Sequence, residues 1–413
     1  MAKRRELHNR LVDLQGNIRV YCRVRPVLDV ERRSGQDVDV CEFPTEGTLV
    51  VRKDELSEHR FEFSNVFPPA TTQEQVFAEV EPLSTSVMDG FNVCIFAYGQ
   101  TGSGKTFTME GTPEAQGVIS RAINHLFHTA KERHEALEYH FKLSVLEIYN
   151  EMVHDLLVNP DKGDKARLDV RRGASGAFVE GLSWVDVCCA EDVMRVMETA
   201  ARNRAVGAHN VNEHSSRSHL VLTVEVTGVN RGTGQRLRGK LNLIDLAGSE
   251  RVGKTDATGL RLKEAQNINR SLSALGDVVN ALASQSRHVP YRNSKLTFLL
   301  QDSLSGDSKV LMFVNISPVQ WNAGETLCSL KFAERCSEVQ LGAARRNVES
   351  AEVARMRRVI DDLKARLGAA GAPASGAGSA SASASAADSS PTKSAPSSRS
   401  STPRRTSSGT SRR

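Results

Sequence analysis

Three groups of residues carry chemistry that a folded scaffold would have to hold in place. The first is Gly99-Gln100-Thr101-Gly102-Ser103-Gly104-Lys105-Thr106, which fits the phosphate-loop pattern GxxxxGK[ST]. Glycines at these spacings let backbone N–H groups curl around phosphate oxygens, and a following helix adds the favourable end of its dipole. Lys105 would reach the β- and γ-phosphates of a nucleoside triphosphate, and Thr106 would ligate Mg²⁺. The second group, Leu241 to Glu250, is an apolar run ending in Asp245 with Gly248 three residues later. An acid at the end of a strand can hold the Mg²⁺ shell through water, and such a glycine can sense the γ-phosphate through its N–H. The third, Asn212 to His219, clusters Ser215 and Ser216 ahead of Arg217. Alone it reads as a helix cap with a surface salt bridge; beside the other two it reads as a loop closing over a phosphate and its metal.

Such groups need rigid elements behind them. Asn92–Tyr98 (NVCIFAY) is short and almost wholly apolar, the pattern of a strand buried on both faces, and it leads directly into the glycine loop. From Asn17 to Pro26, Ile18, Val20, Cys22 and Val24 alternate with polar neighbours, so a strand with one inward face is expected. Further strands are expected at 140–148, 219–229, 239–245 and 309–316. Helical patterns separate them at 72–88, 117–133, 190–204, 264–283, 293–302 and 323–338. Strands alternating with helices predict a layered α/β domain around a mostly parallel central sheet.

Composition narrows the class. The 413 residues can bury a large core, and no apolar run reaches membrane-spanning length. Seven cysteines are scattered without a CxxC pair, which favours free thiols in a reducing, cytosolic compartment over a zinc site or disulfides. The net charge of +5 resides in the tail after Gly368, where six basic residues face one acid, Asp388. That tail is dominated by Ala, Ser, Gly and Pro and cannot bury enough apolar surface to offset its ordering entropy, so disorder is expected over 368–413. Ahead of it Val353, Met356, Ile360, Leu363 and Leu367 show heptad spacing, which fits a short coiled coil or an amphipathic helix over 349–367. Leu7, Leu11 and Leu14 end another helical stripe at Gly16.

The segments FAYGQTGSGKTFTMEG (96–111), NEHSSRSH (212–219), LIDLAGSER (243–251) and HVPYRNSKLTFLLQDSL (288–304) resemble the signature segments of the kinesin motor domain, in the family's order. The resemblance covers 17–346. It implies the P-loop NTPase motor fold, with a central, mostly parallel eight-stranded sheet flanked by helices on both faces. It also implies ATP and Mg²⁺ as cofactors, and a microtubule-stimulated ATPase that moves along microtubules. Arg23-Val-Arg25-Pro26 resembles the segment that packs against adenine, with Phe107 on the other side. Ser215, Ser216 and Arg217 would belong to the first switch, and Asp245, Gly248 and Glu250 to the second. Ser216 and, through water, Asp245 would join Thr106 at the metal. Arg217 and Glu250 would form the ion pair that closes the site, and Glu250 would share a proton relay to the lytic water with Asn269 nearby. The edges, HNRLVDLQGNIRVYCRVRP and LKFAERCSEVQLGAARRN, resemble the class-14 kinesins. Residues 1–16 would then end a neck helix, travel would be towards minus ends, and a homodimer could form through the neck or the C-terminal helix.

Between Arg251 and Lys295 eight basic residues face three acids. A concentrated positive face suits an acidic polymer, although a charge run is usually a solvated helix face. No aromatic residues interleave with the basic ones, and Tyr291 stands alone, which disfavours a nucleic-acid groove. The resemblance makes tubulin the partner, through Lys254, Arg261, Lys263, Arg287, Tyr291, Arg292 and Lys295, with Lys165 and Arg167 as a second contact. It places the protein in the cytoplasm on the microtubule cytoskeleton, the spindle included. A GTPase switch shares the phosphate loop, but no NKxD-type guanine selector follows. A myosin lacks the DLAGSE and YRNSKLT pattern. A non-hydrolysing, nucleotide-sensitive microtubule-binding protein is the remaining alternative, and it would be expected to have lost some of the residues that all stand here.

Overall fold

The computed structural model describes residues 18–54, 57–158, 168–173, 176–206, 214–251, 260–342, 344–350 and eight single positions within 352–366. The chain divides into two units, Met1–Val359 and Ile360–Arg413. In the second, the described residues Ile360, Leu363 and Arg366 are helical and exposed. The stub 1–16, Leu367 and the tail 368–413 lie outside the described residues.

The first unit is organised by one large sheet. Edge to edge its main path runs through Val185–Val187, Leu137–Tyr149, His219–Asn230, Arg236–Asp245, Asn92–Tyr98, Ser308–Ile316, Ile18–Val24 and Asn65–Phe67. The four pairings from Arg236–Asp245 to Asn65–Phe67 are parallel. The three on the other side are antiparallel, and one of them is the hairpin that joins His219–Asn230 directly to Arg236–Asp245. The eight-stranded path is therefore mixed. Two short strands, Met152–Asp155 and Val348–Glu349, add to it from the sides.

Each face of the sheet packs its own core. Ile18, Val20, Cys22, Val24, Met312 and Val314 share one core with Leu272, Leu275 and Val279 of the helix Leu260–Ala283 and Leu330 of the helix Ala323–Ser337. Tyr21, Val93, Ile95, Leu243, Leu311 and Phe313 share the other with Val76, Val80 and Leu83 of the helix Gln73–Met88 and Ile119 and Ile123 of the helix Val118–Glu132. A side chain such as Phe313, fully removed from water, contributes about 1.5–3 kcal/mol.

This two-sided cover corrects the reading of the first strand. All seven residues of Ile18–Val24 are buried, so the polar alternates do not face solvent. They face the second helix layer, where Tyr21 meets the rings of Phe67 and Phe313 edge-on and Arg23 finds hydrogen-bond acceptors. The segment expected as one helix over 293–302 is also divided. Tyr291–Asn293 forms a 3-10 turn, Ser294 is extended, and helices follow at Lys295–Leu299 and Gln301–Leu304. Ser294 interrupts the run because its Oγ accepts the Thr297 N–H at 3.0 Å, which is an N-cap. By contrast Gln73–Met88 begins where expected, through a reciprocal cap between Thr72 and Gln75.

Small sheets that the sequence pattern did not disclose sit around the core. Cys41–Glu42, Thr48–Asp54 and Ser57–Glu62 form one, and Val170–Gly173 pairs with Gly176–Val179 in another. The second hairpin is pinned by Asp302, whose Oδ2 accepts the Ala177 N–H at 2.6 Å.

Candidate active site

The buried strand Asn92–Tyr98 delivers the glycine loop at its carboxyl end, the position at which parallel sheets bind ligands. Gly99 has a φ of 150° and runs so close to the next strand that a Cβ would lie 2.1 Å from the Asn315 carbonyl. Gly104, left-handed at φ 96°, turns the chain into the short helix Lys105–Met109. Lys105 Nζ is buried and donates to the carbonyls of Gly99 at 2.9 Å and Gln100 at 3.0 Å. Burial pushes its pKa down, opposed by the charges of Asp245 and Glu250.

The acidic strand end lies against this loop. Thr106 Oγ1 donates to Asp245 Oδ2 at 2.6 Å, while Asp245 Oδ1 is buried without a hydrogen-bond partner. Burial raises the pKa of Asp245, countered by Lys105, the Thr106 hydroxyl and Arg204. Gln100 Oε1, Ser103 Oγ and Asn315 Oδ1 are likewise buried and unpartnered. Orphan polar atoms are costly in a native interior, and gathered round one loop they fit a site completed by a polar ligand. A hard cation suits the oxygen donors Thr106 and Asp245.

Residues 214–217 and 246–250 meet at the loop. Gly248 N–H donates to the Ser216 carbonyl at 2.8 Å, and Ser249 N–H to the Gly99 carbonyl at 3.1 Å. A Cβ on Gly248 would fall 2.3 Å from both Thr101 Oγ1 and Glu250 Oε2, so a larger residue there would displace the Glu250 carboxylate from Thr101. Glu250 accepts from Thr101 twice, from N–H at 2.8 Å and from Oγ1 at 2.6 Å, an anchor that the spacing did not indicate. Ser215, Ser216 and Arg217 are half-buried, as is Asn269 on the helix Leu260–Ala283. Asn212 and Glu213 lie outside the described residues.

Behind residues 214–218, Glu147 is buried and accepts from Arg204 Nε at 2.8 Å and contacts His214 Nε2 at 3.0 Å. Although burial opposes ionisation, hydrogen bonds from His214 and Ser218 and the charge of Arg204 hold its carboxyl below the usual range. Neither Glu147 nor Arg204 belongs to a motif, and only the acid within the apolar run KLSVLEIY could have signalled them.

The expected base platform divides into an exposed part and a buried part. Phe107 is 43% exposed, and Arg25 Nε donates to the Gly102 carbonyl at 2.7 Å, clamping the loop. Arg25 also pairs with Glu31 and donates to Ser317 Oγ, and its own NH1 is bonded to the Pro26 carbonyl. Arg23 departs from the expectation. Only 7% exposed, it points under the loop helix and donates to Gln73 Oε1 at 2.8 Å and Thr108 Oγ1 at 3.1 Å, its guanidinium 5.2 Å from the Phe107 ring. Burial lowers its pKa to about 10. Arg23 supports the platform from beneath instead of facing a base.

On the basic face, Lys254, Lys165 and Arg167 lie outside the described residues, and Arg261 and Lys263 fall within the helix Leu260–Ala283. Arg287 and Arg292 are exposed, Arg292 over the Phe298 ring at 5.6 Å. Lys295 is partly spent within the chain, its ammonium paired with Asp169. Tyr291 turns its hydroxyl inward to the Leu304 carbonyl at 3.2 Å, leaving only its half-buried ring for the surface. Among the described residues no helix is long and apolar enough to cross a membrane.

Comparison with known proteins agrees with this geometry. The kinesin motor domain family model matches residues 23–339. The chain is 52% identical over 357 residues to the kinesin-like protein KIN-14R of Oryza sativa subsp. japonica, covering 86% of this chain and 36% of that protein. It is 50% identical over 368 residues to KIN-14R of Arabidopsis thaliana, covering 88% and 34%. The chain thus spans about a third of the length of the curated relatives it matches. Among solved structures, one described as a fast kinesin superposes with a TM-score of 0.75 at 40% identity, covering 81% of this chain and 94% of that one. The C-terminal motor and motor homology domain of Kar3Vik1, fused to a synthetic heterodimeric coiled coil, gives 0.72 at 41%, covering 81% and 89%. With a glycine loop, an acidic strand end and residues 214–217 and 246–250 converging at one end of the central strands, and with a family match over most of its length, this chain belongs to the kinesin motor domain family.

Proposed function

We propose that the chain hydrolyses ATP and uses the cycle to move along microtubules, towards minus ends. The observation that carries this is the contact of Thr106 with a half-satisfied, buried Asp245 beside Lys105. Bound Mg²⁺, held by Thr106 and Ser216 and through water by Asp245, would neutralise charge on the phosphates. Lys105 exchanges its loop carbonyls for phosphate oxygens, which replaces neutral acceptors by charged ones. Gly248, already tied to Ser216, offers the N–H that reports the γ-phosphate. Glu250, which Thr101 holds at the loop, orients the lytic water, and Arg217 closes over it from the first switch. Positioning and charge neutralisation suffice for phosphoryl transfer, so no covalent nucleophile is required.

The likeness to KIN-14 proteins and to the C-terminal motor of Kar3Vik1 supports the minus-end direction. The fast kinesin, whose structure is described for its ATPase mechanism and its interactions with microtubules, supports the coupling of turnover to a filament. Arg287, Arg292 and the helix Leu260–Ala283 form the filament face. Pairing of two copies through the neck or the heptad segment, and a place on the cytoskeleton that includes the spindle, belong to the same reading. The basic tail from Gly368 acts as a salt-sensitive tether, which truncation before Gly368 and low-salt co-sedimentation would test. The deciding experiment is ATP turnover with and without microtubules, followed by gliding on polarity-marked filaments. Turnover that microtubules do not accelerate removes the motor reading, and binding without turnover turns it into a passive nucleotide-sensitive binder.

A further inference from the structure

His219 closes the segment NEHSSRSH, yet nothing in the chemistry above uses it. It is 2% exposed and stands at the start of the strand His219–Asn230, two residues beyond Arg217. Its Nδ1 accepts the Ala247 N–H at 3.0 Å. Ala247 immediately precedes Gly248, whose N–H is bonded to the Ser216 carbonyl. An N–H donor on Nδ1 leaves the ring proton on Nε2, and Nε2 lies 2.7 Å from Ser271 Oγ. The Ser271 hydroxyl in turn donates to the Ile268 carbonyl at 2.8 Å. Direction is therefore fixed along the whole chain, from Ala247 through the imidazole and Ser271 to Ile268. Burial, with Lys105 and Arg204 nearby, holds the ring pKa at about 3 against the pull of Glu147, so the ring stays neutral and its two nitrogens keep opposite roles.

A buried histidine with both nitrogens satisfied is ordinarily a packing residue. Here the partners lie on separate elements. One adjoins the glycine that would meet the γ-phosphate, and the other is on the long helix Leu260–Ala283, which carries Arg261, Lys263 and Arg270 of the basic run. Apolar neighbours such as Leu272 and Leu275 hold that helix to the sheet without direction, whereas a hydrogen bond of fixed polarity holds one register.

We propose that the neutral imidazole of His219, bonded to Ala247 and Ser271, is a positioning element that ties the loop carrying Gly248 to the helix Leu260–Ala283, so that displacement of one shifts the other. The inference rests on the reading of the site as an ATPase, but its deciding measurement needs no filament. Amide hydrogen exchange is followed across the helix with ADP and with a non-hydrolysable ATP analogue bound. The full chain is compared with Ser271→Ala, with His219→Asn, and with the double variant. Asn keeps an acceptor for the Ala247 N–H but lacks the reach to Ser271.

In the unaltered chain the helix exchanges differently with the two nucleotides, by about 5-fold or more at its slowest amides. Ser271→Ala removes most of that difference, His219→Asn does the same, and the double variant is no worse than either. In turnover measurements Ser271→Ala retains basal hydrolysis and loses filament stimulation. A wild-type nucleotide response in Ser271→Ala overturns the proposal, as does the absence of any response in the unaltered chain. In either case ATP turnover by the same sample leaves the ATPase reading standing. If His219→Asn fails to fold, Ser271→Ala, which deletes a single hydroxyl, still decides the matter.

Discussion

Thr106 Oγ1 donates to Asp245 Oδ2 at 2.6 Å, and this contact ties the start of the loop helix to the carboxyl end of the strand Arg236–Asp245. The other carboxylate oxygen is buried without a partner. Asp245 is thus held in orientation on one side and short of a donor on the other. Thr106 is its fixed point, and any metal-borne water would supply the rest.

Asp245→Asn should therefore weaken the effect of magnesium more than it weakens the fold. In thermal melts with an ATP analogue, Mg²⁺ should raise the midpoint of the unaltered chain through mass action. The variant should lose most of that increment while its midpoint without nucleotide moves little. An undiminished Mg²⁺ increment would remove Asp245 from the metal site. Thr106→Ala should lower the nucleotide-free midpoint as well, since it leaves a buried carboxylate without its donor, at a cost of about 1–3 kcal/mol.

Lys105→Ala should lower ATP turnover by about 100-fold or more, the scale on which loss of one charge-stabilising donor acts. It also removes one of the two hydrogen bonds accepted by each of the Gly99 and Gln100 carbonyls, so a small loss of stability should accompany it. Turnover near the unaltered rate, measured with microtubules present, would count against the assigned phosphate loop.

Much of this site could be read before the fold, and the reasons are local. Glycines with a lysine after a buried strand have few other uses, and the hairpin of His219–Asn230 with Arg236–Asp245 brings residues 214–217 and 246–250 to the same end of the sheet from consecutive strands. What escaped the sequence depends on distant partners. Gln73 is an ordinary residue of a first helical turn, yet it accepts from Arg23 and donates to the Phe107 carbonyl at 2.7 Å. Asn315 bonds Thr108 Oγ1 at 2.7 Å under the loop. Its only trace is a polar residue near the end of the apolar run KVLMFVNI. Arg23 and Arg25 flank one valine, and nothing in that spacing says which of them turns inward.

Glu250→Ala should bind ATP nearly as the unaltered chain does and hydrolyse it slowly, because the carboxylate is anchored on Thr101 beside the loop instead of holding the loop together. Thr101→Ala removes one of its two donors and should give a smaller loss in the same direction. Phosphate release in stopped flow separates the steps, and an unchanged release rate in Glu250→Ala would exclude Glu250 from the hydrolytic step.

The basic face should divide by its intramolecular pairing. Arg292→Glu reverses an exposed charge and should raise the half-saturating microtubule concentration while leaving ATP affinity alone. Lys295 is paired with the half-exposed Asp169, a contact worth about 0.2–1 kcal/mol at such a surface. Asp169→Asn releases Lys295, so it should lower the half-saturating concentration, most clearly at low salt. If Asp169→Asn weakens binding, then the pair positions Lys295 for the filament rather than competing with it.

The buried His219 sets the last expectation, the dependence of stability on pH. Its ordinary pKa of 6.5 falls to about 3 in the folded chain, through burial and the charges of Lys105 and Arg204, with Glu147 opposing. Above pH 6.5 the ring is neutral whether folded or unfolded and contributes no slope. Between pH 6.5 and 3 the unfolded chain takes up a proton that the folded chain refuses, so stability falls as the pH falls, by about 1.4 kcal/mol per unit. At pH 5 the loss from this group alone reaches ~2 kcal/mol. Other titrating groups act over the same range, Asp245 among them with its raised pKa, and a comparison between variants cancels them. Urea denaturation of the unaltered chain and of His219→Asn at pH 7.5 and at pH 5 should therefore show a smaller fall in the variant. The difference should equal one proton between the two slopes below pH 6.5. Parallel slopes would mean that His219 takes up its proton in the folded chain, and the fixed polarity of its two hydrogen bonds would be lost with it.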